Sequence, residues 1–286
     1  MKKWIAPLVV AVVVVALTAL RFFAPAAAGS AHHELVERLD SKGNKVEVFW
    51  DAPPSPGKKL PAIVYVHGMQ DPAGPGAINL VRADVLRDTA KRGYFAAAMS
   101  MPGYGQSSGE RDFCGRGTQA ALQSTIAYLR KRKDVDADHI AISGASCGAV
   151  AASMIADKEP VAAMILVSGT FDLEDMYAKW RTPAWQLPPE TLDYMDKSIT
   201  ADGDLKTAAK YRSALPNAGR FMMPVLIIAG GRDRVVDTKQ SQALADALEE
   251  SGRTHTYIFN PDGEHMIPAA EWVKYSTSFL HDTMGK

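Results

Sequence analysis

The chain has only two cysteines, Cys114 and Cys147, and carries no net charge. Each shortage removes a class of protein. Lys+Arg and Asp+Glu are equal at 32 each, so no overall field draws the molecule to nucleic acid or to an anionic surface. Two cysteines with no Cys/His cluster at zinc-site spacing exclude a structural zinc module, and no metal or cofactor is expected. The cysteines themselves are read as free thiols. A single Cys114–Cys147 disulfide is the alternative, because sequence does not supply the separation that decides it. Internal repeats are absent, which excludes solenoids and propellers. What is present is an ordinary balance for a globular domain with a substantial core: 286 residues, 47% hydrophobic and 22% charged.

Long apolar runs are also scarce, and the one that stands out is at the start. "MKKW" leads into "IAPLVVAVVVVALTAL", followed by Arg21 and "FFAPAAAGSA". Two lysines, an apolar stretch and small residues are the three parts of an export signal, and Ala26 and Ala28 form an A-x-A site with cleavage before Gly29. Residues 1–28 are thus read as a cleaved signal or an uncleaved membrane anchor, with cleavage preferred. In the anchor case residues 4–20 associate with the membrane. Either way the lysines stay inside and residues 29–286 are expected outside the cytoplasm: periplasmic, secreted, or held at the inner membrane.

Beyond this segment, "HELVERLD" and "KVEVFWDA" flank a turn with Gly43 and Asn44 and are read as an antiparallel hairpin. "LPAIVYVHG" is a continuous apolar run, as expected of a strand covered on both faces. From there strands alternate with helical stretches. The helices are expected at about Ile78–Arg92, Thr118–Lys131, after Ser146, at Thr238–Ser251 and from Pro268. The strands between them are "YFAAAMSM", "HIAISG", "VAAMILVSG", "PVLIIAGG" and "THTYIFN". Such alternation implies right-handed parallel crossovers and an α/β fold with helices on both faces of a mostly parallel sheet. In such a sheet, functional residues collect in the loops after the carboxyl ends of strands. The stretch from about 170 to 220 breaks the alternation and is read as a helical cap insertion.

"GASCG", Gly144–Gly148, fits G-x-S-x-G between a strand and a helix. A tight turn of this kind lifts Ser146 clear of the sheet and sets it at a helix N-terminus. A serine hydroxyl needs a base, and that base needs an orienting group. His32, His33, His139, His255 and His281 lie in the termini or in strands. His265 lies in the loop "NPDGEHMIP" after the last strand and is the candidate base. The orienting acid is expected in "GGRDRVVD", and Asp233 is favoured. Asp237 is better explained by the start of the next helix, while Asp262 and Glu264 are further alternatives. Oxyanion donors are expected from the backbone N–H groups of Cys147 and Met69, with His67 holding the latter's loop in shape.

The order Ser–Asp–His, together with "GASCG", "VHG", "PGYGQSSG", "GGRD" and "GEH", resembles the alpha/beta-hydrolase superfamily over about Leu60 to Met284. The similarity is greatest to its prolyl-oligopeptidase-related and dienelactone-hydrolase-like branches. The resemblance implies an eight-stranded, mostly parallel sheet and an acyl-enzyme cycle on Ser146, His265 and Asp233, with a small-molecule ester as substrate. A peptidase or acyltransferase would use the same residues, and a non-catalytic binding module is the alternative from another class. Met176, Tyr177, Trp180, Trp185, Tyr194 and Met195 load the cap with apolar surface, and Trp180 and Trp185 are the candidates for lining a substrate pocket.

Overall fold

The computed structural model describes residues 31–54, 57–70, 74–185 and 187–285. The proposed export segment, residues 1–28, lies outside them. Among the described residues no helix is long and apolar enough to cross a membrane.

Eight strands form one sheet in the order β1-β2-β4-β3-β5-β6-β7-β8. The hairpin expected from the sequence is β1 (His32–Glu37) and β2 (Lys45–Asp51), paired antiparallel with His32 opposite Trp50 and Glu37 opposite Lys45. β2 in turn pairs antiparallel with β4 (Phe95–Met99). All other pairings are parallel, through β3 (Leu60–Val66), β5 (Val135–Ala145), β6 (Ala163–Val167), β7 (Val225–Gly230) and β8 (His255–Asn260).

The unbroken apolar run of β3 follows from burial on both faces. Leu60, Ala62, Val64 and Val66 belong to one core cluster, while Ile63 and Tyr65 belong to a second on the opposite face. The first cluster packs under α3 (Arg116–Lys131) and α4 (Cys147–Ser153); the second packs under α1 (Ile78–Arg82), α2 (Val85–Lys91) and α9 (Ala269–Met284). Burying one such Ile, Val or Leu is worth about 1.5–3 kcal/mol, so the pattern that builds the sheet also supplies much of what holds it.

The single helix expected over Ile78–Arg92 is two helices. Asp84 between them has φ 59°, in the left-handed region, and accepts from the Asp88 N–H while donating its own to Val81. Aspartate tolerates this conformation better than most residues. The apolar periodicity runs through the break because both short helices bury the same side. The insertion between β6 and β7 is helical, as expected: α5 (Leu173–Lys179), α6 (Pro189–Ala201), α7 (Leu205–Ala209) and a 3₁₀ turn over Leu215–Arg220. α8 (Lys239–Glu250) connects β7 to β8.

Candidate active site

One residue separates the end of β5 at Ala145 from the start of α4 at Cys147. That residue is Ser146, with φ 52° and ψ −120°. A non-glycine residue rarely adopts this conformation, and it persists only where the surroundings over-determine it. Here the Ser146 N–H donates to the Val167 carbonyl at 2.8 Å, and the Ser146 carbonyl accepts from Ala149 and Val150 in the first turn of α4. The two framing glycines are there for space. A Cβ at Gly144 would collide with the Gly148 backbone, and one at Gly148 would collide with the Val66 carbonyl at the end of β3.

His265, in the loop after β8, reaches Ser146 from the other side. Its Nε2 is 3.0 Å from Ser146 Oγ, and its Nδ1 is 2.8 Å from Asp233 Oδ2. With Nδ1 protonated toward the carboxylate, Nε2 is left as the acceptor that faces the serine hydroxyl. Asp233 follows β7 and is buried. Its second oxygen accepts the Val235 and Val236 N–H groups at 2.8 and 2.9 Å, which hold the carboxylate in place beside His265. The structure therefore brings Ser146, His265 and Asp233 into one hydrogen-bonded line.

Asp237 lies outside that line. It accepts from Lys179 Nζ on α5 at 2.8 Å and from the Lys239 N–H at 3.0 Å. Burial pushes its carboxyl up, but these two bonds outweigh that and hold it below the usual range. Asp262 pairs with Arg232 at the surface.

Met69 and Cys147, the two residues expected to supply oxyanion donors, both line a small cavity at Ser146, of about 40 Å³. His67 ties this region together. Its Nδ1–H donates to the Gly68 carbonyl at 2.7 Å, and its Nε2 accepts the Met101 N–H at 3.1 Å, joining the loops after β3 and β4. Burial pushes this imidazole down from 6.5 to about 4, against the opposing effect of the Gly68 carbonyl, so it is neutral at pH 7.

Two expectations need correction. Cys114 and Cys147 are not free thiols; they form a disulfide across a Cα–Cα distance of 5.4 Å, well within the range such a bond spans. The bond joins the loop after β4 to the residue that follows the nucleophile candidate. Of the two cap tryptophans, Trp180 lines the small cavity, whereas Trp185 does not. It packs against the larger core cluster, and the nearby residue that reaches the cavity is Leu187.

Sequence reasoning missed Phe113, Thr170, Leu173, Val235, Val236 and Arg212 as neighbours of the site. Arg212 is buried, and its Nε and Nη2 donate to the Phe113 and Asp112 carbonyls at 2.7 and 2.9 Å while Nη1 pairs with Asp202. Together with the Tyr194 hydroxyl, which accepts the Phe113 N–H at 2.7 Å, it clamps the cap to the loop in which Phe113 and Cys114 both have positive φ. The signal that could have found Val235 and Val236 is their place two and three positions after Asp233 in "GGRDRVVD". Nothing marked a lone arginine in "KYRSALP".

A mostly parallel eight-stranded sheet, a strained serine at a strand–helix turn and a histidine–aspartate pair from the later loops define a serine hydrolase of the alpha/beta-hydrolase fold. The chain belongs to the prolyl oligopeptidase family, whose model matches residues 85–286. It is 24% identical over 248 residues, 82% of this chain and 90% of the relative, to the protein of Bacillus subtilis (strain 168) named uncharacterized peptidase YtmA. Among solved structures it is similar to the Pyrococcus furiosus esterase Pf2001, with TM-score 0.71, 18% identity, and 90% of this chain and 92% of that one covered. It is also similar to a puromycin-hydrolyzing peptidase of Mycobacterium tuberculosis, with TM-score 0.73, 20% identity, and 89% of this chain and 40% of that one covered. At these identities the structural likenesses speak for the fold.

Proposed function

We propose that the protein is an exported hydrolase of carboxylic esters in which Ser146 is the nucleophile, His265 the general base and acid, and Asp233 the residue that orients it. The observation that carries this reading is the Ser146–His265–Asp233 hydrogen-bonded line at the mouth of an apolar cavity. Ser146 Oγ attacks the ester carbonyl as its proton passes to His265 Nε2. The Met69 and Cys147 N–H groups receive the charge that develops on the carbonyl oxygen, each such donor being worth about 2.7–4 kcal/mol in the transition state. His265 then protonates the departing oxygen and afterwards activates water to release the acyl group.

An ester is favoured over a peptide by the likeness over nearly the full length of both chains to a protein named as an esterase. A peptidase is the second reading, favoured by the family model and by the peptidase names of other relatives. Export accords with the Cys114–Cys147 disulfide, a bond that oxidising compartments sustain; the N-terminal residue of protein recovered from its native host distinguishes a cleaved signal from an anchor.

The test is labelling with an activated fluorophosphonate alongside hydrolysis of a short p-nitrophenyl ester. Wild type should form an adduct on Ser146, and Ser146→Ala should lose both the adduct and turnover, by about 10⁴-fold or more. Turnover retained in the alanine variant refutes the assignment. A panel of esters, lactones and peptide amides separates esterase from peptidase.

A further inference from the structure

Ser146 stands on the wall between two cavities of very different size. The smaller, about 40 Å³, lies under the cap and is lined by Ser146 and Cys147. The larger, about 550 Å³, opens on the opposite side of the serine, between α1–α2 and α9. Its walls are apolar, with Tyr65, Leu80, Val85, Met266 and Trp272 among them, and Asp88 and Arg92 are the charged groups that line it. Among the described residues, His265 lines the large cavity and not the small one, whereas Met69 lines both.

This asymmetry assigns the two halves of a substrate. The acyl carbonyl carbon bonds to Ser146 Oγ, with its oxygen toward the Met69 and Cys147 N–H groups, and the acyl group takes the small cavity, which Cys147 lines and His265 does not. The leaving oxygen must receive its proton from His265 Nε2, so the leaving group lies on the side that His265 lines. We propose that the substrates are esters of a short acyl group with a large apolar alcohol, and that the alcohol occupies the cavity between α1–α2 and α9.

The reading rests on Ser146 acting as the nucleophile. The Ser146 Oγ–acyl bond forms, the acyl carbon–alcohol oxygen bond breaks, and the serine proton travels through His265 to the alcohol. Water then cleaves the acyl-enzyme, giving up one proton to His265, which returns it to Ser146. Neither half-reaction needs any other reactant. The half-exposed Leu80, Val85 and Trp272 are apolar surface that such an alcohol would cover.

The experiment compares two isomers of equal composition, decyl acetate and methyl undecanoate, as substrates of the full-length chain. Decyl acetate should have a kcat/KM at least a hundredfold higher. Along ethyl, butyl, hexyl and decyl acetates, kcat/KM should rise by roughly fourfold per buried methylene until the cavity is filled. Val85→Trp and, elsewhere on the wall, Leu80→Trp narrow the cavity and should each reduce the decyl-to-ethyl acetate ratio by tenfold or more. Equal or greater activity on methyl undecanoate, or an unaltered ratio in whichever variants fold, overturns the proposal. Fluorophosphonate labelling separates the two levels: an adduct on Ser146 with the isomer preference reversed sinks this assignment alone, while no adduct sinks the hydrolase reading with it.

Discussion

At the scale of single residues, the site depends on which aspartate faces the histidine. Asp233 and Asp237 are four positions apart on one loop, yet only Asp233 reaches His265, while Asp237 is held by Lys179 and the start of α8. Asp233→Asn should therefore lower kcat by about 10³–10⁴-fold by misplacing the imidazole proton, whereas Asp237→Asn should change it by no more than a few-fold. Steady-state kinetics on one ester decides this, and the reverse order would move the acid. The preference for Asp233 was legible because Asp237 abuts a run with a ready helical role. Ser146 was legible from its framing glycines. The reason for those glycines is tertiary, since Gly148 is crowded by Val66 of a strand some eighty positions away.

At the scale of elements, the disulfide changes the role of Cys147. Its side chain fastens α4 to the loop after β4, and that loop is fastened again by Arg212 and Tyr194 from the cap. With the two cysteines separated by 33 in sequence, the bond constrains the unfolded chain by about 3–4 kcal/mol. The double variant Cys114→Ser, Cys147→Ser should lose about that much in urea unfolding, and wild type under reductant should approach the variant. Coincident unfolding curves for variant and oxidised wild type would show that the bond contributes nothing. The pairing could not be read from the sequence, because it depends on where β4 and β5 sit relative to each other. The sheet order puts β3 between them, so the two cysteines come from segments that follow non-adjacent strands. The helix break at Asp84 was hidden for a related reason: the hydrophobic period reports the buried side and not the continuity of the backbone.

At the scale of the whole molecule, the alternation of strands and helices was sufficient to read a mostly parallel α/β sheet, since periodicity is a local property, and the family resemblance implied its eight strands. The two cavities were not, because their walls are assembled from segments as distant as Tyr65 and Trp272. Global stability should fall on acidification partly through His67. Its imidazole is held down to about 4 in the folded protein against 6.5 as a free side chain, so between those values the unfolded chain binds the proton first. His67 thus favours the folded state fully above about pH 6.5, and this contribution, about 3 kcal/mol, is lost as pH falls toward 4. His67→Gln should flatten the dependence of Tm on pH across that window, and an unchanged slope would remove His67 as its source.

The backbone of Val235 gives the cap a mechanical property. Its N–H donates to the Asp233 carboxylate, and its carbonyl accepts the indole N–H of Trp180 at the end of α5, at 2.7 Å. A hinge motion that raised α5 would pull on the strut that aims the carboxylate. The position of the cap and the aim of the triad carboxylate are in that way coupled through a single residue.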